Sequence, residues 1–308
     1  MKCVPPFDFG LSFSLFSDGE KQIRRYDGEK FWQVIRTDDK LTLVTIRASG
    51  TVARPTVSLE LQSNGILDDV DEQRISQLAS SLVSANFDLR PFYADIRKEE
   101  IMAEITRRLK GLKVPSAVTV FEALIDSIIE QQISLNVAHV LQTNLIKKFG
   151  DFLRLDSRVY FAYPTPKQLA GATIEELRKC GLSAKKSEYI RDISEMVVDG
   201  KLDLEAFKQY NDAEKIIKEL DEIRGIGVWT AGLTIVRGMQ KYEAIPADDL
   251  GLRRVISHFY CNDKKITGEQ ARKISERWGK WKGLASFYLI VAEAIEQNEQ
   301  STGIAFSF

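Results

Sequence analysis

Cysteine is scarce: Cys3, Cys180 and Cys261 are the only three among 308 residues. An odd number without paired spacing excludes a disulfide framework, a zinc ribbon and a four-cysteine iron–sulfur site, and it fits a reducing compartment. Long apolar runs are missing too. Nothing approaches the ~18 consecutive apolar residues of a membrane span. The start, Met1-Lys2-Cys3-Val4-Pro5-Pro6, lacks the apolar core of a signal peptide, so a soluble intracellular protein with no membrane partner is expected. Charge of one sign is absent as well. Lys and Arg total 43 against 44 Asp and Glu, a net charge of -1, so any nucleic-acid surface has to be local. His139 and His258 have no partner at metal-ligand spacing and read as structural.

What is present is globular. At 44% hydrophobic and 28% charged residues, the chain suffices for one to three packed domains. Up to about residue 85 the texture is short and alternating. Phe7, Phe9, Leu11, Phe13 and Leu15 recur at period two before the turn signal Asp18-Gly19, which predicts a strand with one buried face. Lys30 to Arg36, Lys40 to Ala48 and Thr56 to Gln62 predict further strands of an antiparallel sheet, covered by a helix near Asp71 to Ser84. From Phe87 onward the period becomes 3.6. Phe121, Leu124, Ile125, Ile128 and Ile129 line one helix face that ends near Gln132, and Ser134 caps the next helix, closed by Gly150. Helices follow at Pro166 to Leu169, at Thr173 to Lys179 and after Ser183. Further helices are expected at Asp212 to Ile223, Val228 to Met239, Asp249 to Phe259, Gly268 to Arg277 and Leu284 to Asn298. The fold class is α+β, with an antiparallel α+β domain over 1–86 and an all-α body over 87–308.

The most informative stretch is Leu220-Asp221-Glu222-Ile223-Arg224-Gly225-Ile226-Gly227-Val228-Trp229-Thr230-Ala231, a helix, a tight Gly-x-Gly turn and a second helix. Glycines tolerate positive φ and let another group come close. A helix that starts directly after Gly227 aims its unpaired N–H groups out of the turn, where an anion, commonly a phosphate, can bind, and Arg224 adds a charge beside it. A plain turn between helices is the alternative. Further on, Ile245-Pro246-Ala247-Asp248-Asp249-Leu250 puts two carboxylates at a helix start whose buried stripe is Leu252, Val255, Ile256 and Phe259. One of them caps the helix; the other is free to stabilise developing positive charge or orient water.

With these motifs the chain resembles the helix-hairpin-helix DNA glycosylases, and within them the 3-methyladenine DNA glycosylase II branch. That family carries Leu-x-x-(Ile or Phe)-x-Gly-Ile-Gly-x-Trp-Thr-Ala followed by Pro-x-Asp, here Leu220 to Ala231 and Pro246-Ala247-Asp248. The resemblance runs through Arg90 to Tyr93, Phe121 to Ser134 and Tyr163 to Ser183, covering roughly residues 87 to 295. It implies a two-lobed helical body, with 118–230 as the central lobe and 87–117 with 231–308 as the other. It also implies a base-excision repair enzyme that flips a damaged base out of double-stranded DNA and hydrolyses its N-glycosidic bond. Asp248 is then the catalytic carboxylate and Asp249 the cap.

Members that also nick the strand carry a lysine where this chain has Trp229, so a monofunctional enzyme without lyase activity is expected. An indole face suits an alkylated, cationic purine. Leu233 and Tyr288 to Val291 stand where a well-known bacterial member is more aromatic, so the base pocket draws on Trp229 with Tyr288, Phe287 or Phe13. Gln132 aligns with the residue that fills the gap left by the flipped base, with Gln131 beside it. DNA contacts are expected from Gln131, Gln132, Arg224, Gly225, Ile226, Gly227 and Thr230. Leu177 to Lys186 looks like a degenerate second hairpin whose cations, with Arg253, Arg254, Lys280 and Lys282, form the local positive surface. No cofactor is required, although the resemblance implies a structural sodium or potassium ion on the carbonyls of Asp221, Ile223 and Ile226. The expected enzyme is a monomer that works with the genomic DNA. The alternatives are excision of an oxidised or deaminated base such as 8-oxoguanine or hypoxanthine, or a non-catalytic DNA-binding module.

Overall fold

The structure is a computed structural model that describes residues 1–302, with side chains through residue 297. The first part contains α1 (Phe9–Phe13), β1 (Arg24–Tyr26), β2 (Lys30–Thr37), β3 (Lys40–Thr51), β4 (Arg54–Ser63) and α2 (Asp69–Leu82). The strands form an antiparallel meander in the order β1-β2-β3-β4. Alternation along β2 and β3 serves two covers. Phe31, Ile35, Val44 and Ile46 face α1 and α2, whereas Val34, Leu41 and Leu43 face Leu153 and Ala162 of the body.

The remainder is mostly helical: α3 (Arg90–Ile96), α4 (Glu100–Arg108), α5 (Val120–Glu130) and α6 (Leu135–Phe149), then the hairpin strands β5 (Phe152–Leu155) and β6 (Arg158–Phe161). After them come α7 (Pro166–Ala170), α8 (Ile174–Lys179), α9 (Ala184–Val198), α10 (Ala213–Asp221), α11 (Val228–Met239), α12 (Leu250–Cys261), α13 (Gly268–Ser275) and α14 (Lys282–Thr302). Ser134, Thr165, Thr173, Ser183, Asp212, Asp249 and Thr267 each accept a first-turn N–H as N-caps, each worth about 1 kcal/mol. The expected helix boundaries agree within a few residues; residues 303–308 lie outside the described part.

Two local expectations fail. The period-two segment at Phe7 to Leu15 is not a strand but α1, opened by Asp8 accepting from Leu11 N. Phe9 and Phe13, one turn apart, stack with centroids 4.7 Å apart in the core under the sheet, while Leu11 turns to the core of the helical body. A helix wedged between two cores buries apolar residues on opposite sides, so alternation does not identify a strand there. The β5–β6 hairpin, in a region read as wholly helical, turns at Asp156 with φ 50° and packs Leu153 under the sheet. Lys113 joins the first part to the rest: its buried ammonium donates to the carbonyls of Val4, Ser84 and Ala85 at 2.8, 3.0 and 3.1 Å.

Every residue of α5 is buried, including Glu122, Asp126 and Glu130 at successive turns. Buried carboxylates need partners. Arg24 of β1 reaches Glu122 and Asp126 at 3.2 and 3.4 Å, Tyr163 donates to Asp126 at 2.8 Å, and Arg237 of α11 holds Glu130 at 2.7 Å. Burial pushes Glu122 up to about 7, against the pull of Arg24. Glu122 also lines a cavity of about 540 Å³ between β2 and the helical body, to which no residue of the 220–231 hairpin contributes.

A carboxyl group with a raised folded pKa favours folding below its unfolded pKa, and that contribution fades as pH rises through the folded value. Glu122→Gln should therefore gain stability relative to the native chain between pH ~4.5 and ~7, by up to about 3 kcal/mol. Urea unfolding of both proteins at pH 4.5, 6 and 8 measures it; parallel stability curves would contradict the assignment.

Candidate active site

The α10–α11 hairpin turns on one glycine rather than two. Gly225 has φ +94°, and a Cβ there would stand 2.2 Å from the Tyr189 ring of α9, so close approach and backbone conformation both demand glycine. Gly227 has an ordinary φ of −102° and opens α11 with no side-chain cap. The first-turn N–H groups of α11 are thus left for an anion. Ile226 is the anchor: it is buried, and its N–H bonds the Ile223 carbonyl at 3.0 Å. Arg224 does not stand free beside the turn. It bonds Glu188 and Asp192 at 2.7 and 3.1 Å and lies over the Tyr189 ring.

The loop between α5 and α6 meets this hairpin. Gln131 donates its amide N–H groups to the Gly225 carbonyl and the Thr230 hydroxyl, both at 2.9 Å. Thr230 is buried, so neither it nor the Gln131 amide is presented outward as the sequence suggested. Gln132 is exposed and left-handed, with φ 57°. On the other side Lys186 of α9 donates to the carbonyls of Ile129 and Gln131 at 2.7 and 2.6 Å, and burial holds its pKa below the ordinary lysine range. The degenerate second hairpin is a real echo of the first: Gly181 between α8 and α9 has φ +97°, and a Cβ there would stand 2.4 Å from the Leu141 side chain.

The two aspartates face different neighbours. Asp249 caps α12, accepting from Leu252 N at 2.6 Å with Oδ1, and its Oδ2 accepts from the Trp229 indole N–H at 2.7 Å. Asp248 is 77% exposed and pairs with Arg272 of α13 at 2.7 Å. Its Oδ1 lies where a Cβ on Gly268 would be, 1.9 Å away. Asp249 caps α12 as the sequence suggested, and the same carboxylate also meets the hairpin helix through Trp229, whereas Asp248 stands at the rim against Arg272.

Two expected pocket residues are core instead. Tyr288 is fully buried, with its hydroxyl bonded to the Leu112 carbonyl at 2.7 Å and to Tyr93 at 3.0 Å. Phe13 is fully buried between Phe9, Phe16 and Phe31. Exposed apolar side chains of this region include Val228, Leu250 and Ile290. Of the basic residues expected to form a positive surface, Arg254 pairs with Glu293, Lys282 with Glu276 and Lys280 with Asp95. Sequence reasoning missed the roles of Tyr189, Lys186 and Arg272. Only Tyr189 carried a signal, as an apolar position on the α9 face that had to meet something.

Gly225→Ala should lose about 2–4 kcal/mol of stability, from the left-handed backbone and from overpacking against Tyr189. The double variant Gly225→Ala, Tyr189→Ala should lose less than the two single variants together, since the clash partner is gone. Urea titration of the three proteins checks this, and additive losses would remove the packing argument.

Residues 125–280 match a model described as HhH-GPD superfamily base excision DNA repair protein. A Bacillus subtilis protein named DNA-3-methyladenine glycosylase is 34% identical over 204 residues, covering 66% of this chain and 66% of that protein. Escherichia coli DNA-3-methyladenine glycosylase 2 is 28% identical over 189 residues, covering 61% and 63%. The chain thus spans somewhat under two thirds of the length of these curated relatives. Among solved structures, a 3-methyladenine DNA-glycosylase from Archaeoglobus fulgidus superposes with a TM-score of 0.82 at 24% identity, over 96% of this chain and 98% of that one. A Clostridium acetobutylicum 8-oxoguanine glycosylase/lyase superposes with a TM-score of 0.75 at 20% identity, over 96% and 94%. Both share the fold, sheet included. With the glycine hairpin, its capped partner helix and more than half of the chain inside the family match, this protein belongs to the HhH-GPD superfamily of base excision DNA repair proteins.

Proposed function

We propose that the chain is a monofunctional DNA glycosylase that flips an alkylated purine of the 3-methyladenine type out of double-stranded DNA and hydrolyses its N-glycosidic bond. The observation that carries this reading is the Asp249 carboxylate, fixed at the α12 N-terminus and bonded to Trp229 of the hairpin helix. As the base departs, sugar C1′ gains positive charge, and a fixed carboxylate lowers that barrier while orienting the attacking water. The helix N-terminus favours negative charge at this position. Asp249 therefore takes the catalytic role that the sequence motif assigned to Asp248, and Asp248 serves as the ion-pair partner of Arg272.

Trp229 acts twice in this scheme. Its N–H orients the carboxylate, and its face stacks a methylated, cationic purine. With no amine at this position, no Schiff base forms and the strand is not nicked. Gln132 fills the gap left in the duplex, while the uncapped start of α11, at Gly227, holds a phosphate. The curated relatives named for 3-methyladenine support the choice of substrate. A sodium or potassium ion on the carbonyls of Asp221, Ile223 and Ile226 fits the turn, since the Ile223 carbonyl keeps a second lone pair beside its bond from Ile226. The reading is of a monomer working on genomic DNA. No helix among the described residues is long and apolar enough to cross a membrane. The reading divides the chain into 1–86 and a two-lobed 87–308, supported by separate buried clusters around Phe31, around Leu124 and around Trp278.

Asp249→Asn should slow base release by about a hundredfold or more, while Asp248→Asn should stay within about threefold, as for a rim ion pair. Chromatography of bases released from methylated DNA measures both; the reverse order would return the role to Asp248. The same assay run on duplexes with 8-oxoguanine or hypoxanthine sets the substrate class, and release of those without any alkylpurine would displace the main proposal. Borohydride treatment with damaged DNA should trap no covalent complex, and a trapped adduct would overturn the argument from Trp229.

A further inference from the structure

We propose that Gln131 and Lys186 are positioning residues that preset Gln132 for entry into the base stack and lock that loop to the phosphate-binding hairpin. The inference rests on the base-flipping reading above and goes beyond it by naming what holds the inserting side chain. Gln132 sits in a left-handed conformation that costs a non-glycine residue about 1–2 kcal/mol. Such strain persists where the surroundings overdetermine it, and both flanks of Gln132 are held. On the hairpin side the Gln131 amide spends both N–H groups, one on the Gly225 carbonyl inside the turn and one on Thr230 in the first helical turn beyond it. On the far side the Lys186 ammonium bridges the carbonyls of Ile129 and Gln131, which carry the negative end of the α5 dipole.

The consequence is mechanical. The hairpin that grips the phosphates and the side chain that enters the stack are hydrogen-bonded into one unit, so docking the first delivers the second in register. A loop already ordered before binding has less conformational freedom left to lose when the base is extruded. The second hairpin thereby gains a role, because it carries Lys186, whose ammonium points into the protein. A cation that merely attracts DNA would be solvated and exposed, whereas this one is half-buried between two carbonyls.

If the pair acts by presetting Gln132, its loss should matter only when the enzyme has to extrude the base. A lesion in a one-nucleotide bulge is already unstacked; the same lesion in a matched duplex is not. Single-turnover release of one 7-methylguanine should be measured in both contexts for the native chain, Gln131→Ala, Lys186→Met and Lys186→Arg, after thermal unfolding shows that each variant folds. Gln131→Met, which keeps the bulk and removes both donors, replaces the alanine variant if that one does not fold. Release from the matched duplex should fall about tenfold for each lost clamp, release from the bulge should stay within about twofold, and Lys186→Arg should restore matched-duplex release. Equal slowing in both contexts, or no slowing in the matched duplex, overturns the proposal.

Failure of the functional reading shows separately, as a native chain that releases no base from either duplex. In that case fluorescence of a 2-aminopurine opposite an abasic site still reads insertion. A rise on binding with the native chain that is lost in the variants supports the proposal, and an equal rise in all of them overturns it.

Discussion

The hydrogen bond from the Trp229 indole to the Asp249 carboxylate is the interaction on which the site depends. It joins two helices that start in different ways: α11 begins at a glycine turn with no cap, and α12 begins at an aspartate that caps it. The carboxylate has one oxygen for the helix backbone and one for the indole, so its orientation is fixed twice over. Everything outward of this bond positions one of the two partners. Tyr189 under Gly225 sets the turn that launches α11, and Leu252, Val255 and Ile256 seat α12 in the core of the helical body.

How much of this was legible in the sequence follows from how local each signal is. The hairpin, the Ser and Thr caps and most helix boundaries depend on residues within one or two turns of each other, and these were readable. The family could be recognised for the same reason, since its motifs are short and collinear. What escaped needed knowledge of distant neighbours. Alternation at Phe7 to Leu15 predicts a strand only if one core lies nearby, and here there are two. Tyr288 and Phe13 are aromatic, a residue class that at helical or strand spacing packs a core more often than it lines a pocket, and their burial decides for packing. The contact of Asp249 with Trp229, twenty residues earlier in the chain, likewise joins groups whose proximity no local pattern announces.

The near-zero net charge takes on meaning in the same way. Several of the cations near the hairpin and along α12 to α14 are paired with acids of the protein itself, among them Arg224 with Glu188 and Asp192, and Arg254 with Glu293. A phosphate site made from helix N–H groups needs no excess of lysine or arginine. The helix–glycine–helix unit recurs at Gly181 and Gly225 with nearly the same positive φ, 97° and 94°, and the helix after the first carries Lys186, which braces the loop after α5.

Lys113 and α1 together bear on how the chain comes apart. The ammonium of Lys113 stitches the carbonyls of Val4, Ser84 and Ala85 to the body, while α1 sends Phe9 and Phe13 into the sheet core and Leu11 into the helical one. Cutting the chain at the compositional shift near residue 85 would strand a buried cation without its acceptors and open two apolar surfaces at once. The amino-terminal sheet is thus tied to the body at two places, and a protease that removed the first sixteen residues would loosen both layers together.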